Sequence, residues 1–106
     1  MKEHKILIIG AGPAGLETAY QLKKIGLTPI IIERSDKIGG HLAQWDRLFP
    51  SSDDAENLLE QLKEQTKDIE IKLNSRITNI EKEGDVFHVS LSNNKIYDVD
   101  AVVVCT

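Results

Sequence analysis

Residues 6–15 read ILIIGAGPAG, with Ile6, Leu7, Ile8 and Ile9 running directly into glycines at 10, 12 and 15. A continuous apolar run of this kind suits a parallel strand covered on both faces. The glycines have the G-x-G-x-x-G spacing of a dinucleotide diphosphate loop, a motif that gains weight from its context of strand before and helix after. Gly10 allows the sharp turn out of the strand, Gly12 lets the backbone approach a diphosphate, and Gly15 lets the following helix pack closely. Pro13 fits a first helical turn, where its missing N–H costs nothing. The N–H groups of that turn, Ala14 among them, and the positive end of the helix dipole would then face the anion.

Working outward, the spacing predicts a helix over 13–24, with Leu16, Ala19, Tyr20 and Leu22 on or near its apolar side. Lys23 and Lys24 occupy the last turn, and Gly26 is the expected left-handed exit. Residues 29–33, PIIIE, read as a second strand ending in Glu33, which lies 18 residues beyond Gly15. That is close to the separation at which a carboxylate reaches a ribose. A carboxylate there accepts from both ribose hydroxyls and repels a 2′-phosphate, disfavouring NADP at this site, although Arg34 stands next to it.

Six residues past Glu33 comes the pair Gly39-Gly40, in RSDKIGGHLAQW. Read alone, a glycine pair marks a turn. With the diphosphate loop and the acid before it, the series resembles the flavoprotein disulfide reductase superfamily, where the pair belongs to the FAD site. Within it, IGGHLAQWDRLFPSSD is similar to the flavin domain of the flavin-binding heterodisulfide reductase subunits and, more loosely, to thioredoxin reductase. The last segment, DAVVVCT at 100–106, matches the strand that ends in Ala-Thr-Gly beside the cofactor, with Cys105 in place of the alanine.

The resemblance implies FAD as cofactor. Gly10, Gly12, Pro13, Ala14 and Gly15 would hold the diphosphate, and Glu33 and Arg34 would meet the adenosine ribose. Gly39, Gly40, His41 and Leu42 would line the phosphate and ribityl side, the backbone at Arg76 and Ile77 would face the adenine, and Thr106 would lie near the flavin. It also implies that residues 1–106 form one FAD-binding domain truncated at its C-terminus, with a site for NAD(P)H or an electron-transfer protein in the missing region. The heterodisulfide reductase subunits carry cysteines for iron–sulfur clusters. Here Ser51, Ser52, Asp53 and Asp54 stand at the corresponding turn, and Cys105 is the only cysteine. A cluster needs about four thiolates, and a redox pair needs two. Neither can be built, and Cys105, ending an apolar run, is expected to be a buried inert thiol.

The remainder completes an α/β reading. Residues 51–53 offer caps for a helix over 54–66 with a stripe of Leu58, Leu59 and Leu62. Residues 69–73 alternate as a third parallel strand. Two further alternating runs, 76–81 and 86–91, flank a hairpin turn at 82–85, and 96–99 adds a third antiparallel strand. The final strand, 101–105, returns to the main sheet. The expected fold is a Rossmann-like FAD/NAD(P)-binding domain: a parallel sheet with helices and an antiparallel β-meander crossover.

Composition agrees with one soluble domain. The chain has 106 residues, 41% hydrophobic and 28% charged, with a formal net charge of −4. That charge gives no reason to expect nucleic acid or an anionic membrane as partner. One cysteine and no signal-like or spanning segment make a cytoplasmic location the default expectation. His4, His41 and His88 are too scattered for a metal site. His4 and His88 read as surface residues, and His41 as a candidate neighbour of the flavin. Trp45 with Phe49 and Pro50 reads as loop packing, and Asp53, Asp54 and Glu56 as a helix N-terminus. No residue is singled out as catalytic. The function expected is electron transfer through bound FAD. The alternatives are an NAD-binding module of a dehydrogenase and a non-catalytic FAD-binding domain within an electron-transfer complex.

Overall fold

A computed structural model describes residues 3–36 and 52–105, excluding the side chains at 52–56, 58 and 59. Strand β1 (Lys5–Ile9) leads into helix α1 (Pro13–Lys24) and returns as β2 (Thr28–Ile32). Helix α2 (Ser52–Gln65) precedes β3 (Glu70–Lys72). Strands β4 (Ile77–Glu83), β5 (Val86–Leu91) and β6 (Ile96–Val99) form the meander, and β7 (Ala101–Val104) closes the series.

The first sheet has the order β3-β2-β1-β7, with every pairing parallel. Its register explains why strands of unbroken apolar sequence form here. Leu7 lies opposite Ile30 and Val102, while Ile8 lies opposite Ile31 and Val103. Successive side chains of a strand point to opposite faces, so each row of partners shares one face. Ile8 and Ile31 pack with Ala11, Leu16 and Ala19 of the first loop and helix, and with Leu62 and Ile69. Leu7, Ile30 and Ile32 pack instead with Val89, Leu91 and Val99 of the meander. The sheet is thus covered by helices on one face and by the second, antiparallel sheet on the other. Both faces of β1 are dry, with Leu7 and Ile8 each at 0% exposure.

Several boundaries differ from the sequence reading for identifiable reasons. Helix α2 begins two residues earlier than expected and ends one earlier, placing Asp53 and Asp54 inside its first turn, where acids suit the helix dipole. Leu62 enters the core as expected; Leu58 and Leu59 lie outside the described side chains. The hairpin turn tightens from four residues to Gly84-Asp85, because Gly84 takes φ +61° and lets the strands pair up to Glu83 opposite Val86. Gly26 has φ +94° after α1, the predicted left-handed exit.

The meander passes into β7 through Asp100, whose N–H donates to the Lys5 carbonyl (2.8 Å) while its carboxylate accepts the Lys5 N–H (2.9 Å). This reciprocal pair fixes where β7 begins beside β1. Among the described residues, no helix is long and apolar enough to cross a membrane.

Candidate dinucleotide-binding site

The carboxyl ends of β1, β2, β3 and β7 lie side by side because all four strands are parallel. On one side of β1 the chain proceeds through α1 to β2; on the other it arrives at β7 through the meander on the opposite face. Such a switch in connection leaves a crevice at the strand ends, the usual ligand position in open α/β sheets.

The first wall of the crevice is the glycine loop. Gly10 has φ +111° and donates its N–H to the Ile32 carbonyl at 2.9 Å, which ties the loop to the end of β2. A Cβ on Gly15 would stand 1.9 Å from the Gly10 carbonyl oxygen, so only glycine allows α1 to meet the loop this closely. Gly12 is different. It caps α1 with φ −77° and ψ −179°, a conformation open to any residue, and among the described residues a Cβ there would meet nothing within 4 Å. The described packing therefore does not require glycine at position 12. What a side chain would fill is the ground above the helix N-terminus.

That N-terminus is uncapped: among the described residues no side chain caps it, no acid lies in the first turn, and Pro13 leads the helix. Leu16 donates to the Gly12 carbonyl at 3.0 Å, while the N–H groups of Ala14 and Gly15 precede the first intrahelical donor position.

Glu33 forms the second wall. Its Oε1 accepts the Ala11 N–H and its Oε2 accepts the Ser35 N–H, both at 2.8 Å. Burial opposes the charge, but the Ala11 and Ser35 N–H groups, the Ser35 hydroxyl and the Arg34 cation outweigh it and hold the carboxyl below its ordinary value. A carboxylate offers about four lone-pair sites, so the two backbone bonds leave acceptor capacity for hydroxyl groups. Arg34 is exposed beside it.

The third wall is the segment after β3. Asn74, at φ +53°, donates its N–H to the Ser35 carbonyl at 2.9 Å, and Ser75 donates to the Glu33 carbonyl at 3.0 Å. Arg76 is thereby brought beside the Glu33 turn. Its N–H donates to Ser92 Oγ (3.2 Å) and its carbonyl accepts the Ser92 N–H (2.8 Å), so this backbone is already engaged by the meander. The Ile77 side chain packs into the core beneath the meander. At the far end, Cys105 donates its N–H to the Ile9 carbonyl at 2.9 Å, and its Sγ lies 3.8 Å from Thr18 Oγ1. The thiol is half-buried rather than fully buried, because β7 is the outer strand of the sheet.

The structure thus gathers Gly10, Gly12, Pro13, Ala14, Gly15, Glu33, Arg34 and Arg76 at one end of the sheet. Gly39, Gly40, His41, Leu42 and Thr106 lie outside the described residues, as do Trp45, Phe49, Pro50 and Ser51. Sequence reading missed Ala11 and Ser35, whose N–H groups hold the acid. Both bonds come from backbone N–H groups that any residue type supplies, so the sequence carried no residue-specific signal for them. His88 is not isolated: its ring nitrogens meet Asp98 (2.5 Å) and Glu83 (3.0 Å) on the meander. Among the described residues, no group of three or more His, Cys, Asp or Glu could hold a metal ion.

The sequence profile described as pyridine nucleotide-disulphide oxidoreductase matches residues 1–106. The chain belongs to this family. It is 32% identical over 115 aligned positions to a ferredoxin–NADP reductase of Picrophilus torridus, covering 100% of this chain and 35% of that protein. It is 31% identical over 105 positions to a CoB–CoM heterodisulfide reductase iron-sulfur subunit of Methanopyrus kandleri, covering 95% of this chain and 16% of that protein. The chain therefore spans about a third or less of these relatives. Ferredoxin–NADP reductases recur among the similar proteins, so the heterodisulfide type is one resemblance among several. Among solved structures, OTEMO in an FAD-bound form superposes with a TM-score of 0.77 at 16% identity, covering 99% of this chain and 26% of that one. A steroid monooxygenase bound to NADP gives 0.76 at 17% identity, covering 98% and 26%. At these identities the likeness concerns the fold, a Rossmann-like parallel sheet with a meander crossover.

Proposed function

We propose that this chain is the FAD-binding segment of a flavin-dependent oxidoreductase and that it grips the adenosine diphosphate half of the cofactor. The observation that carries the reading is the ground above Gly12, left clear by the described packing and facing an uncapped helix N-terminus. The N–H groups of Ala14 and Gly15, with the helix dipole, would meet the diphosphate. Glu33 would accept the ribose hydroxyls and, being held ionised, would reject a 2′-phosphate. Arg34 would lie over the ribose edge, and the segment at Arg76 and Ile77 would border the adenine. Residues 39–42 and Thr106 would complete the ribityl and flavin side.

Bound FAD supplies hydride and electron transfer, while the protein contributes binding, orientation and electrostatics. The nearer reading of the whole enzyme is a ferredoxin–NADP reductase type, with NAD(P)H as donor and a protein electron carrier as acceptor. This rests on the relatives that recur in the comparison. The heterodisulfide reductase type is the second reading, favoured by the IGGHLAQWDRLFP stretch and by the Methanopyrus relative.

Competition against bound FAD tests the assignment. ADP should displace FAD, FMN should not, and ADP carrying a 2′-phosphate should be at least about tenfold weaker than ADP, a difference of about 1.4 kcal/mol. A chain that ignores FAD and binds NADH would instead be a nicotinamide module.

A further inference from the structure

Both oxygens of Glu33 are engaged by the chain itself, and their two donors differ in kind. Ala11 is wholly buried, between the two glycines of the diphosphate loop, whereas Ser35 lies in a half-exposed turn. Water can replace a lost partner at the turn. It cannot do so at Ala11, where a buried N–H without an acceptor is costly. The loop's other anchors lie at its ends: the Gly10 N–H on Ile32, and the Gly12 carbonyl on the Leu16 N–H. The peptide between them is oriented by Glu33 at 2.8 Å.

We propose that Glu33 is a positioning residue for the diphosphate loop as well as the acid that meets the ribose, so that one side chain couples the two subsites. The proposal rests on the dinucleotide reading above. With the Glu33 oxygen removed, the Ala11 peptide turns to find another acceptor and carries Gly12 with it. The cradle over the α1 N-terminus is then no longer preorganised, and ligand binding must supply the ordering. The diphosphate subsite therefore depends on residue 33 even for a ligand that has no ribose.

Glu33→Gln and Glu33→Leu separate this role from simple electrostatics. Both remove the charge, and so relieve repulsion of an anion equally, but only glutamine keeps an oxygen. That oxygen goes to Ala11, because Ser35 has the solvent alternative. Two readouts apply to wild type and both variants: exchange of the Ala11 amide by NMR without ligand, and the affinity for inorganic pyrophosphate. Ala11 exchange should be at least about tenfold slower in wild type and Glu33→Gln than in Glu33→Leu. Pyrophosphate should bind Glu33→Gln at least about tenfold more tightly than Glu33→Leu, matching one buried hydrogen bond lost.

Equal Ala11 exchange in all three proteins overturns the proposal, as does equal or undetectable pyrophosphate binding by both variants. Should Glu33→Leu fail to fold, the wild-type amide decides: exchange as fast as an exposed amide overturns the proposal, and protection retained in Glu33→Gln supports it. Absence of FAD binding by wild type beside Glu33-dependent protection of Ala11 would refute the functional reading while supporting the positioning role.

Discussion

Replacing Gly15 with alanine probes the contact between α1 and the glycine loop. The new Cβ would lie 1.9 Å from the Gly10 carbonyl oxygen and 3.0 Å from its carbon, and neither atom belongs to a flexible side chain. Gly10 cannot retreat freely, because its N–H is bonded to Ile32 and its φ of +111° is already a glycine-only conformation. Relief requires moving α1 off the sheet or breaking the end of the β1–β2 register. Overpacking typically costs about 1–3 kcal/mol, and a backbone collision belongs at the upper end. Alanine regains about 1 kcal/mol of helix propensity, leaving a net loss of about 2 kcal/mol. Domains of this size have about 5–15 kcal/mol in total. At about 4–8 °C per kcal/mol, Tm should fall by about 8–16 °C in a far-UV circular dichroism melt. A Gly15→Ala protein melting within about 2 °C of wild type would refute this packing of loop on helix.

Other perturbations probe the remaining parts. Leu7→Ala removes a wholly buried side chain between β1 and the meander and should cost about 2–5 kcal/mol in urea unfolding; a loss below about 1 kcal/mol would mean that the two sheets do not share a core. For Glu33, the folded pKa lies below 4.5, so its contribution to stability is complete above that value and disappears as pH falls through the lowered one. An NMR titration of the Glu33 carboxyl with a midpoint at or above 4.5 would contradict the bonds to Ala11 and Ser35. His88 runs the opposite way. Hydrogen bonds to Asp98 and then Glu83 raise its pKa above 6.5, so its contribution is fully present below 6.5 and is lost as pH rises through the raised value. The ring's NMR titration should show this shift in wild type and lose it in an Asp98→Asn, Glu83→Gln double variant.

Much of the fold was legible because local chemistry and global architecture agree. The run Ile6–Ile9 could only be a strand covered twice, and the structure covers it with helices on one face and the meander on the other. Gly26 and Gly84 marked turns that the backbone makes with positive φ. Boundaries were less legible at α2, where Ser51, Ser52 and Asp53 all offer a cap and the helix begins at Ser52. The placement of the glycine loop at the strand ends was legible from its spacing. It was not legible at Ala11 and Ser35, which act through backbone N–H groups that any residue type supplies. Close packing of the helix was legible at Gly15, where a Cβ would meet the Gly10 carbonyl, whereas a Cβ at Gly12 would meet nothing among the described residues. His88 looked solitary because its partners Glu83 and Asp98 meet it only through hairpin register.

Gly12→Val is the variant on which the cofactor assignment turns, read by visible absorption after incubation with FAD and desalting. The extended backbone at Gly12 accommodates valine, so stability should stay within about 1 kcal/mol of wild type, while the added side chain occupies the ground proposed for the diphosphate. Wild type should retain an oxidised-flavin spectrum and the folded variant should emerge colourless. A folded Gly12→Val protein that keeps FAD as tightly as wild type would show that the cofactor does not bind over this helix.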